Sequence, residues 1–124
     1  VAARRAVFDR YVAAFADVPG LTSQPEAEGC LHSRWLSCFI VDEAAFGMSA
    51  YDVIRFLETK NVESRPVWRP MHLQPLYAKC EMIGGEVAET LNLTGICLPS
   101  SSSLTEEQQN VVIELVKSVG RRGS

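Results

Sequence analysis

This chain of 124 residues contains few histidines and lysines and carries no net positive charge. Its net charge is −3 at pH 7, which argues against a nucleic-acid-binding surface because phosphate contacts require clustered basic side chains. Short arginine groups at Arg4-Arg5 and Arg121-Arg122 stand near the chain ends, where exposure to solvent accounts for them. With two histidines and no Cys-x-x-Cys pair, the chain shows no zinc-binding spacing, and we expect no metal site.

Long apolar runs are also missing. No stretch approaches the roughly 20 residues that a membrane-spanning helix requires, and the first residues lack the order of a signal peptide. We therefore expect a cytoplasmic protein with no membrane contact, in which a framework of disulfides is not anticipated. Of the four cysteines, Cys38 and Cys97 lie in apolar runs, which predicts that they behave as small buried hydrophobic residues.

The apolar content is high enough for one packed domain covering residues 1–124. Apolar residues make up 47% of the chain and charged residues 22%, and a chain of this size buries roughly two-thirds of its unfolded surface. Apolar residues at helical spacing predict a first helix over about residues 1–17, with Phe8, Tyr11 and Phe15 on its apolar side. No capping residue precedes this helix, so we expect it to continue from upstream polypeptide and to expose an apolar side that promotes self-association.

Three further segments predict strands and three predict helices. The strand candidates are residues 34–41, 62–68 and 95–99, and the helix candidates are residues 49–61, 86–93 and 105–119. Because both faces of the first strand are apolar, we expect it to be central, with Trp35 in the core. Pro66 has no amide hydrogen to donate, so the second strand either lies at an edge or ends there. The predicted fold is α+β, a small three-stranded sheet flanked by helices.

The chemically distinctive residues are concentrated between positions 64 and 77. Three prolines in this segment predict a stiff, extended loop, because each one fixes its own φ and restricts the residue before it. A stiff loop loses less entropy on binding. Its guanidinium, imidazole, amide, indole and phenol groups suit a ligand with phosphates, hydroxyls and a flat ring. The candidate substrate-binding residues are Arg65, Trp68, Arg69, His72, Gln74 and Tyr77.

The same segment resembles a known family. The string Glu-Ser-Arg-Pro-Val-Trp-Arg-Pro-Met-His-Leu-Gln-Pro-Leu-Tyr at 63–77, with Ile-Cys-Leu-Pro-Ser at 96–100 and the final helix, is similar to the carboxy-terminal small domain of the DegT/DnrJ/EryC1/StrS sugar aminotransferases. Within that family it most resembles enzymes that aminate C4 of a nucleotide-linked 4-keto-6-deoxy sugar. The resemblance implies a homodimeric enzyme of fold type I, with pyridoxal phosphate (PLP) as cofactor and glutamate as amino donor.

The resemblance also implies that the catalytic machinery lies on other polypeptide. In the family, a lysine of the large domain holds PLP as a Schiff base, and that domain also supplies the phosphate cradle. Lys60, Lys79 and Lys117 match no such motif, and four serines at 100–103 stand where the family commonly has a glycine in a loop. We therefore expect a chain that lacks its large domain, binds no PLP alone and is inactive in isolation, with that domain and a nucleotide sugar as its partners.

Each candidate residue has a structural interpretation beside the functional one. Arg65 or Arg69 could form a fork-like contact with a phosphate, or could lie in solvent beside Glu63. His72 could hydrogen-bond a sugar hydroxyl or the donor carboxylate, or orient the cofactor pocket, or it could be structural and satisfied by backbone carbonyls.

For the other three candidates a structural role is favoured over a binding role. Trp68 could stack on a base or sugar ring, but the core is the favoured place for it. Tyr77 is expected to be packed, with a partner for its hydroxyl, and Gln74 could cap the turn that follows it.

Two rival functions stay open at this point. A stand-alone module could bind a nucleotide sugar or another partner through residues 65–77, and the chain could also be an unrelated small α+β domain. Titration of the lone chain with nucleotide sugars separates a binding module from an inactive domain.

Overall fold

A computed structural model describes residues 1–120 of the chain, so the Arg121-Arg122 pair lies outside the described residues. The described part consists of α1 (Ala2–Phe15), β1 (Leu21–Ser23), β2 (Ser37–Val41), α2 (Glu43–Phe46), α3 (Ala50–Thr59), β3 (Arg65–Pro66), α4 (Glu86–Thr94), β4 (Gly95–Leu98) and α5 (Glu106–Gly120). Two short 3-10 turns, Met71–Leu73 and Pro75–Tyr77, lie between β3 and α4. None of the helices in this part of the chain is long and apolar enough to cross a bilayer.

The strands form one antiparallel sheet in the order β1-β2-β4-β3. The α+β class is confirmed, but the sheet of residues 1–120 has four strands where the sequence predicted three. The missed strand is β1, whose three residues are too few to show an alternation of apolar and polar side chains. Strand β3 lies at the edge, as Pro66 predicted, and is only two residues long.

The hydrophobic core is built from one face of the sheet and from α1, α3 and α5. Tyr11 and Phe15 of α1 pack their rings against Phe39 of β2, with centroids 6.3 and 5.4 Å apart. Phe8, Tyr11 and Phe15 are only 4, 0 and 3% exposed. The prediction that the first helix presents an exposed apolar side was therefore wrong, because the chain's own sheet covers that side. The basis for self-association through α1 is removed with it.

Strand β2 is fully buried on one face and only partly covered on the other. Ser37, Phe39 and Val41 are buried, whereas Ile40 on the opposite face is 39% exposed. Trp35 lies before the strand and is 61% exposed, so the prediction that it belongs to the core was wrong. A run of apolar residues identifies a strand, but it does not reveal whether a second layer covers both of its faces.

Two helices begin at the caps that the sequence predicted. The hydroxyl of Ser49 accepts a hydrogen bond from the amide of Asp52 at 3.2 Å. Thr105 and Gln108 form a reciprocal capping box, in which each side chain accepts the backbone amide of the other, at 3.2 and 3.0 Å. Gly120, expected to end the final helix, is its last described residue.

Candidate functional site

The candidate binding residues lie at β3 and in the loop between β3 and α4. The backbone is extended at Pro70 (φ −54°, ψ 142°) and again at Gln74 (φ −86°, ψ 134°), and a 3-10 turn follows each of them. The predicted extended loop is thus interrupted by two turns. Proline accounts for both features, because its fixed φ suits extended backbone and also the first position of a helical turn, which Pro75 occupies.

Helix α4 holds this loop at two points. The buried Asn92 donates from Nδ2 to the carbonyl oxygen of Val67 at 2.5 Å. Oε1 of Glu89 lies 2.7 Å from Nε2 of His72. Gly85, directly before α4, has a φ of 122°, and a Cβ there would stand 2.9 Å from Cε1 of His72. Glycine is therefore needed at 85, both for the backbone conformation and for the approach of the imidazole.

An open concavity of about 1330 Å³ is bounded by this loop, the end of β4 and the segment before β2. Three of the six candidate residues line it: Arg65, Trp68 and Arg69. The indole of Trp68 lies against that of Trp35, with ring centroids 5.7 Å apart and planes inclined by 33°. Both side chains are 61% exposed, so the preference for Trp68 as a core residue was wrong. The two indoles instead form an aromatic surface at the concavity.

The other three candidate residues do not line the concavity. His72 contacts Glu89, as described above. Nε2 of Gln74 donates to the carbonyl oxygen of Arg69 at 3.2 Å, which holds the backbone beside a lining residue. Tyr77 is half-buried at the end of the second 3-10 turn. The structure therefore gives His72 and Gln74 contacts that shape the loop.

The lining of the concavity carries more positive than negative charge. Four cationic side chains line it, against the single carboxylate of Glu63: Arg4, Lys60, Arg65 and Arg69. Nη2 of Arg65 lies 2.6 Å from Oε1 of Glu63, but these side chains are 76 and 74% exposed, so solvent screens their attraction. No carboxylate within residues 1–120 forms an ion pair with Arg69. A phosphate entering the concavity would meet guanidinium groups with indoles beside them.

Arg4 belongs to this surface, although the sequence assigned it to a solvated chain end. Its Nη1 donates to the carbonyl oxygens of Trp35 at 2.5 Å and of Ser100 at 3.1 Å. Oγ of Ser100 donates to the same Trp35 carbonyl at 3.2 Å. These bonds fix the segment before β2 next to the end of β4. No local sequence pattern predicts these bonds, because the partners of Arg4 stand 31 and 96 residues away.

The described residues do not fit PLP by themselves. A PLP site needs a lysine that faces an enclosed pocket and a cradle of donors for the phosphate. Lys117 pairs with Asp17 at 3.4 Å, Lys60 lies 5.9 Å from the centre of the Phe56 ring, and Lys79 is exposed in the loop. The part of the chain that the structure describes also holds no cluster of three or more histidine, cysteine or acidic side chains with the geometry for a metal ion.

Comparison with known proteins gives concordant results. A sequence profile of the DegT/DnrJ/EryC1/StrS aminotransferase family matches residues 1–117. EpsN of Bacillus subtilis (strain 168), named as a candidate pyridoxal phosphate-dependent aminotransferase, is 38% identical over 117 residues, which are 91% of this chain and 29% of EpsN. GDP-perosamine synthase of Vibrio cholerae is 29% identical over 118 residues, which are 94% of this chain and 32% of that enzyme.

Solved structures share the fold over nearly all of the chain. The aminotransferase TlmJ of Streptoalloteichus hindustanus superposes with a TM-score of 0.84 at 23% identity, covering 100% of this chain and 32% of TlmJ. DesI, solved in the presence of its TDP-sugar product, gives a TM-score of 0.83 at 22% identity, covering 97% of this chain and 31% of DesI. The chain thus spans about three-tenths of the length of these four proteins. Since the profile match extends over nearly all of the chain, this protein belongs to the DegT/DnrJ/EryC1/StrS aminotransferase family.

Proposed function

We propose that this chain is the carboxy-terminal small domain of a PLP-dependent aminotransferase that acts on a nucleotide-linked 4-keto-6-deoxy sugar, with glutamate as amino donor. Membership of the family supports the reaction class. The names of two similar proteins support the substrate class, since one is a GDP-perosamine synthase and another was solved with its TDP-sugar product. In this proposal the protein works in the cytoplasm as part of a homodimeric enzyme.

The observation that carries the proposal is the concavity lined by Arg65, Arg69 and the two indoles. Guanidinium groups form forked hydrogen bonds with phosphate oxygens, and they are charged at any physiological pH. Indole faces stack on bases and sugar rings. A nucleotide-linked sugar carries both kinds of group, so one ligand can use Arg69 for its diphosphate and Trp68 or Trp35 for a ring.

His72, Gln74 and Tyr77 then act as positioning residues. The imidazole of His72 and the amide of Gln74 are both used in bonds within the loop and to α4. Such bonds hold Arg69 and Trp68 in place before the ligand arrives, which reduces the entropy lost on binding. Tyr77, half-buried at the end of the loop, is assigned to the same group.

The large domain is the partner that the proposal requires. PLP, when bound there, supplies the electron sink for transamination. The described chain contributes binding and orientation of the sugar nucleotide. Exposed large apolar side chains are concentrated in one stretch of the sequence, which fits a surface that packs against that domain: Leu73, Leu76, Met82, Ile83, Val87 and Leu93.

A chimera tests the proposal. The segment of EpsN that matches this chain is replaced by residues 1–124, and PLP-dependent amination is assayed with nucleotide-linked 4-keto sugars and glutamate. We expect a working chimera in which Arg69→Ala weakens binding of the sugar nucleotide about tenfold or more, since a hydrogen bond to a charged group contributes about 1.5–3 kcal/mol. Arg55→Ala is the matched control, because this exposed arginine lies on α3 outside the concavity.

Experiments on the isolated chain can contradict the proposal. We expect no absorbance band of bound PLP when the chain is mixed with the cofactor. A stoichiometric band that disappears on substitution of Lys60, Lys79 or Lys117 would overturn the assignment. Tight binding of nucleotide sugars by the lone chain, measured by calorimetry, would favour the stand-alone binding module.

A further inference from the structure

Two cysteine side chains meet across the sheet. Cys38 of β2 and Cys97 of β4 are direct cross-strand partners, and their Sγ atoms lie 3.6 Å apart. All four cysteines of the chain are free thiols. We propose that Cys38 and Cys97 are a redox-active pair that closes into a reversible cross-strand disulfide when the chain meets an oxidised low-molecular-weight disulfide.

The strand register places this pair at the position where side chains approach most closely. The carbonyl oxygen of Cys38 accepts a hydrogen bond from Gln24, on the β1 side of β2. The carbonyl oxygen of Gly95 accepts one from Val67, on the β3 side of β4. In antiparallel strands the N–H and C=O of one residue point to the same side, and residues two apart share that side. Cys38 and Cys97 therefore form a non-hydrogen-bonded pair.

Such a pair suits a disulfide. Directly opposite residues in a non-hydrogen-bonded pair have Cα atoms about 4.5 Å apart, and disulfides span Cα distances of about 4.4–6.8 Å. The two Sγ atoms already touch, so closing the bond needs changes in side-chain rotamer and little movement of the backbone. The pairing also excludes the other thiols from this role, because Cys30 and Cys80 lie on exposed loops outside the sheet.

The two thiols are not equivalent. The hydrogen bond from the Cys97 thiol lowers the pKa of Cys38, against the effect of burial, and the charge of Arg34 lowers it further. The same hydrogen bond, together with burial, raises the pKa of Cys97. Cys97 is buried, as the sequence predicted, whereas Cys38 is half-buried and can be reached from solvent. Cys38 is therefore the nucleophile, and Cys97 is the resolving thiol.

The reaction balances as a two-step exchange. The thiolate of Cys38 attacks one sulfur of a disulfide such as oxidised glutathione, and one glutathione leaves as a thiolate that takes up a proton. Cys97 then loses its proton and attacks Sγ of Cys38, which releases the second glutathione. Two protein thiols are oxidised by two electrons, the external disulfide is reduced to two thiols, and the Sγ–Sγ bond forms.

The bond would form beside the candidate site. Cys97 lines the concavity, and its partner on the other neighbouring strand is Arg65. Closing the bond shortens the 3.6 Å between the two Sγ atoms and so moves the Cys97 sulfur in the lining of the concavity. Oxidation would thus alter the surface at which the proposed phosphate contact is made.

The test uses the full chain with Cys30→Ser and Cys80→Ser, which remove the exposed thiols. The protein is titrated with oxidised glutathione, quenched by alkylation and digested for peptide mapping. We expect the thiols at 38 and 97 to be lost together, with a linked peptide pair, no lasting glutathione adduct and full reversal by dithiothreitol. Cys97→Ser in the same background should stop at a stable glutathione adduct on Cys38.

Two results would overturn the proposal. One is that Cys38 and Cys97 stay reduced at a glutathione disulfide concentration that fully modifies Cys30 in the unsubstituted chain. The other is that Cys38 keeps a stable adduct while Cys97 remains a free thiol. Peptide mapping of the unsubstituted chain gives the same answer without any substitution, so poor folding of a variant does not affect the conclusion.

Discussion

Nε2 of His72 lies 2.7 Å from Oε1 of Glu89, and this contact joins the proline-rich loop to helix α4. His72 is 19% and Glu89 44% exposed in their side chains, so the pair is only partly shielded from solvent. The contact explains how an imidazole in the family-like string can matter without lining the concavity. It fixes the loop from which Arg69 and Trp68 reach that surface.

A double-mutant cycle measures this contact. His72→Ala and Glu89→Ala, singly and together, should show a coupling of about 0.5–1 kcal/mol in the free energy of unfolding, a modest value because Glu89 is exposed to solvent. Urea unfolding followed by circular dichroism gives the four free energies. The exposed pair Arg65 and Glu63 is the matched control, since it lies beside the same loop and should couple less. Additive effects at His72 and Glu89 would refute the anchoring role.

The two exposed tryptophans should contribute little to stability. Trp35→Ala should lower the free energy of unfolding by less than about 1.5 kcal/mol, the range for an aromatic pair. Phe39→Ala, in which a 2% exposed ring is removed from the core, should cost about 3–5 kcal/mol. Chemical unfolding of both variants gives the comparison. A cost for Trp35→Ala equal to that of Phe39→Ala would mean that the indole is a core residue after all.

This contrast shows which parts of the fold the sequence could predict. Helices α3, α4 and α5 were located to within about two residues, because their caps and apolar spacing are local signals. Strand β1 was not predicted, because three residues are too few to show a periodic pattern. The exposure of Trp35 was not predicted either, because coverage of a strand face depends on elements far away in the sequence. The spacing of apolar residues in α1 predicts its apolar side correctly. It does not predict that β2 of the same chain packs against that side.

In the candidate site, too, the residues with a local sequence signal were predicted and those that depend on long-range contacts were not. The string around residues 64–77 identified the loop, and Arg65, Trp68 and Arg69 do meet at one surface. Arg4 and Trp35 complete that surface through contacts over long sequence separations, which no local pattern encodes. The bond between His72 and Glu89 was hidden for the same reason.

Loss of the Glu26 charge should weaken the attachment of the loop before β2. Glu26 accepts hydrogen bonds from Arg5 at 2.7 Å and from the amide of His32 at 3.0 Å. The bond from Arg5, followed by that from the His32 amide, lowers the pKa of Glu26 below its ordinary value of 4.5. A lowered carboxylate pKa stabilises the fold above the unfolded-state value, and this stabilisation is lost as the pH falls through the folded-state value.

Glu26→Gln should therefore reduce the dependence of stability on acid. The unfolding midpoints of the parent and the variant should converge as the pH falls from the ordinary value of 4.5 through the lowered folded-state pKa of Glu26. Glu28→Gln is the matched control, because it neutralises a neighbouring exposed carboxylate in the same loop. If the two variants show the same pH dependence, the contacts of Glu26 do not stabilise the native loop.

The phenol of Tyr11 joins α1 to the end of β4 and should give the fold a sensitivity to high pH. Its hydroxyl donates to the carbonyl oxygen of Pro99 at 2.8 Å, and the side chain is 0% exposed. Burial raises the pKa of Tyr11 above its ordinary value of 10.0, because the phenolate would lose its hydration. A raised pKa means that the stability contributed by the neutral phenol is complete below the unfolded-state value and is lost as the pH rises above it.

Tyr11→Phe should have two separable effects. At neutral pH it should lower the free energy of unfolding by about 0.5–1.5 kcal/mol, because the carbonyl oxygen of Pro99 loses its hydrogen-bond donor. Above about pH 10 its stability should fall less steeply than that of the parent, since phenylalanine has no proton to lose. Urea unfolding at a series of pH values measures both effects. Tyr51→Phe controls for removal of a hydroxyl, because the hydroxyl of Tyr51 makes only a long bond of 3.4 Å to Asn92. If Tyr11→Phe and the parent lose stability in parallel above pH 10, the fold does not raise the pKa of the Tyr11 phenol.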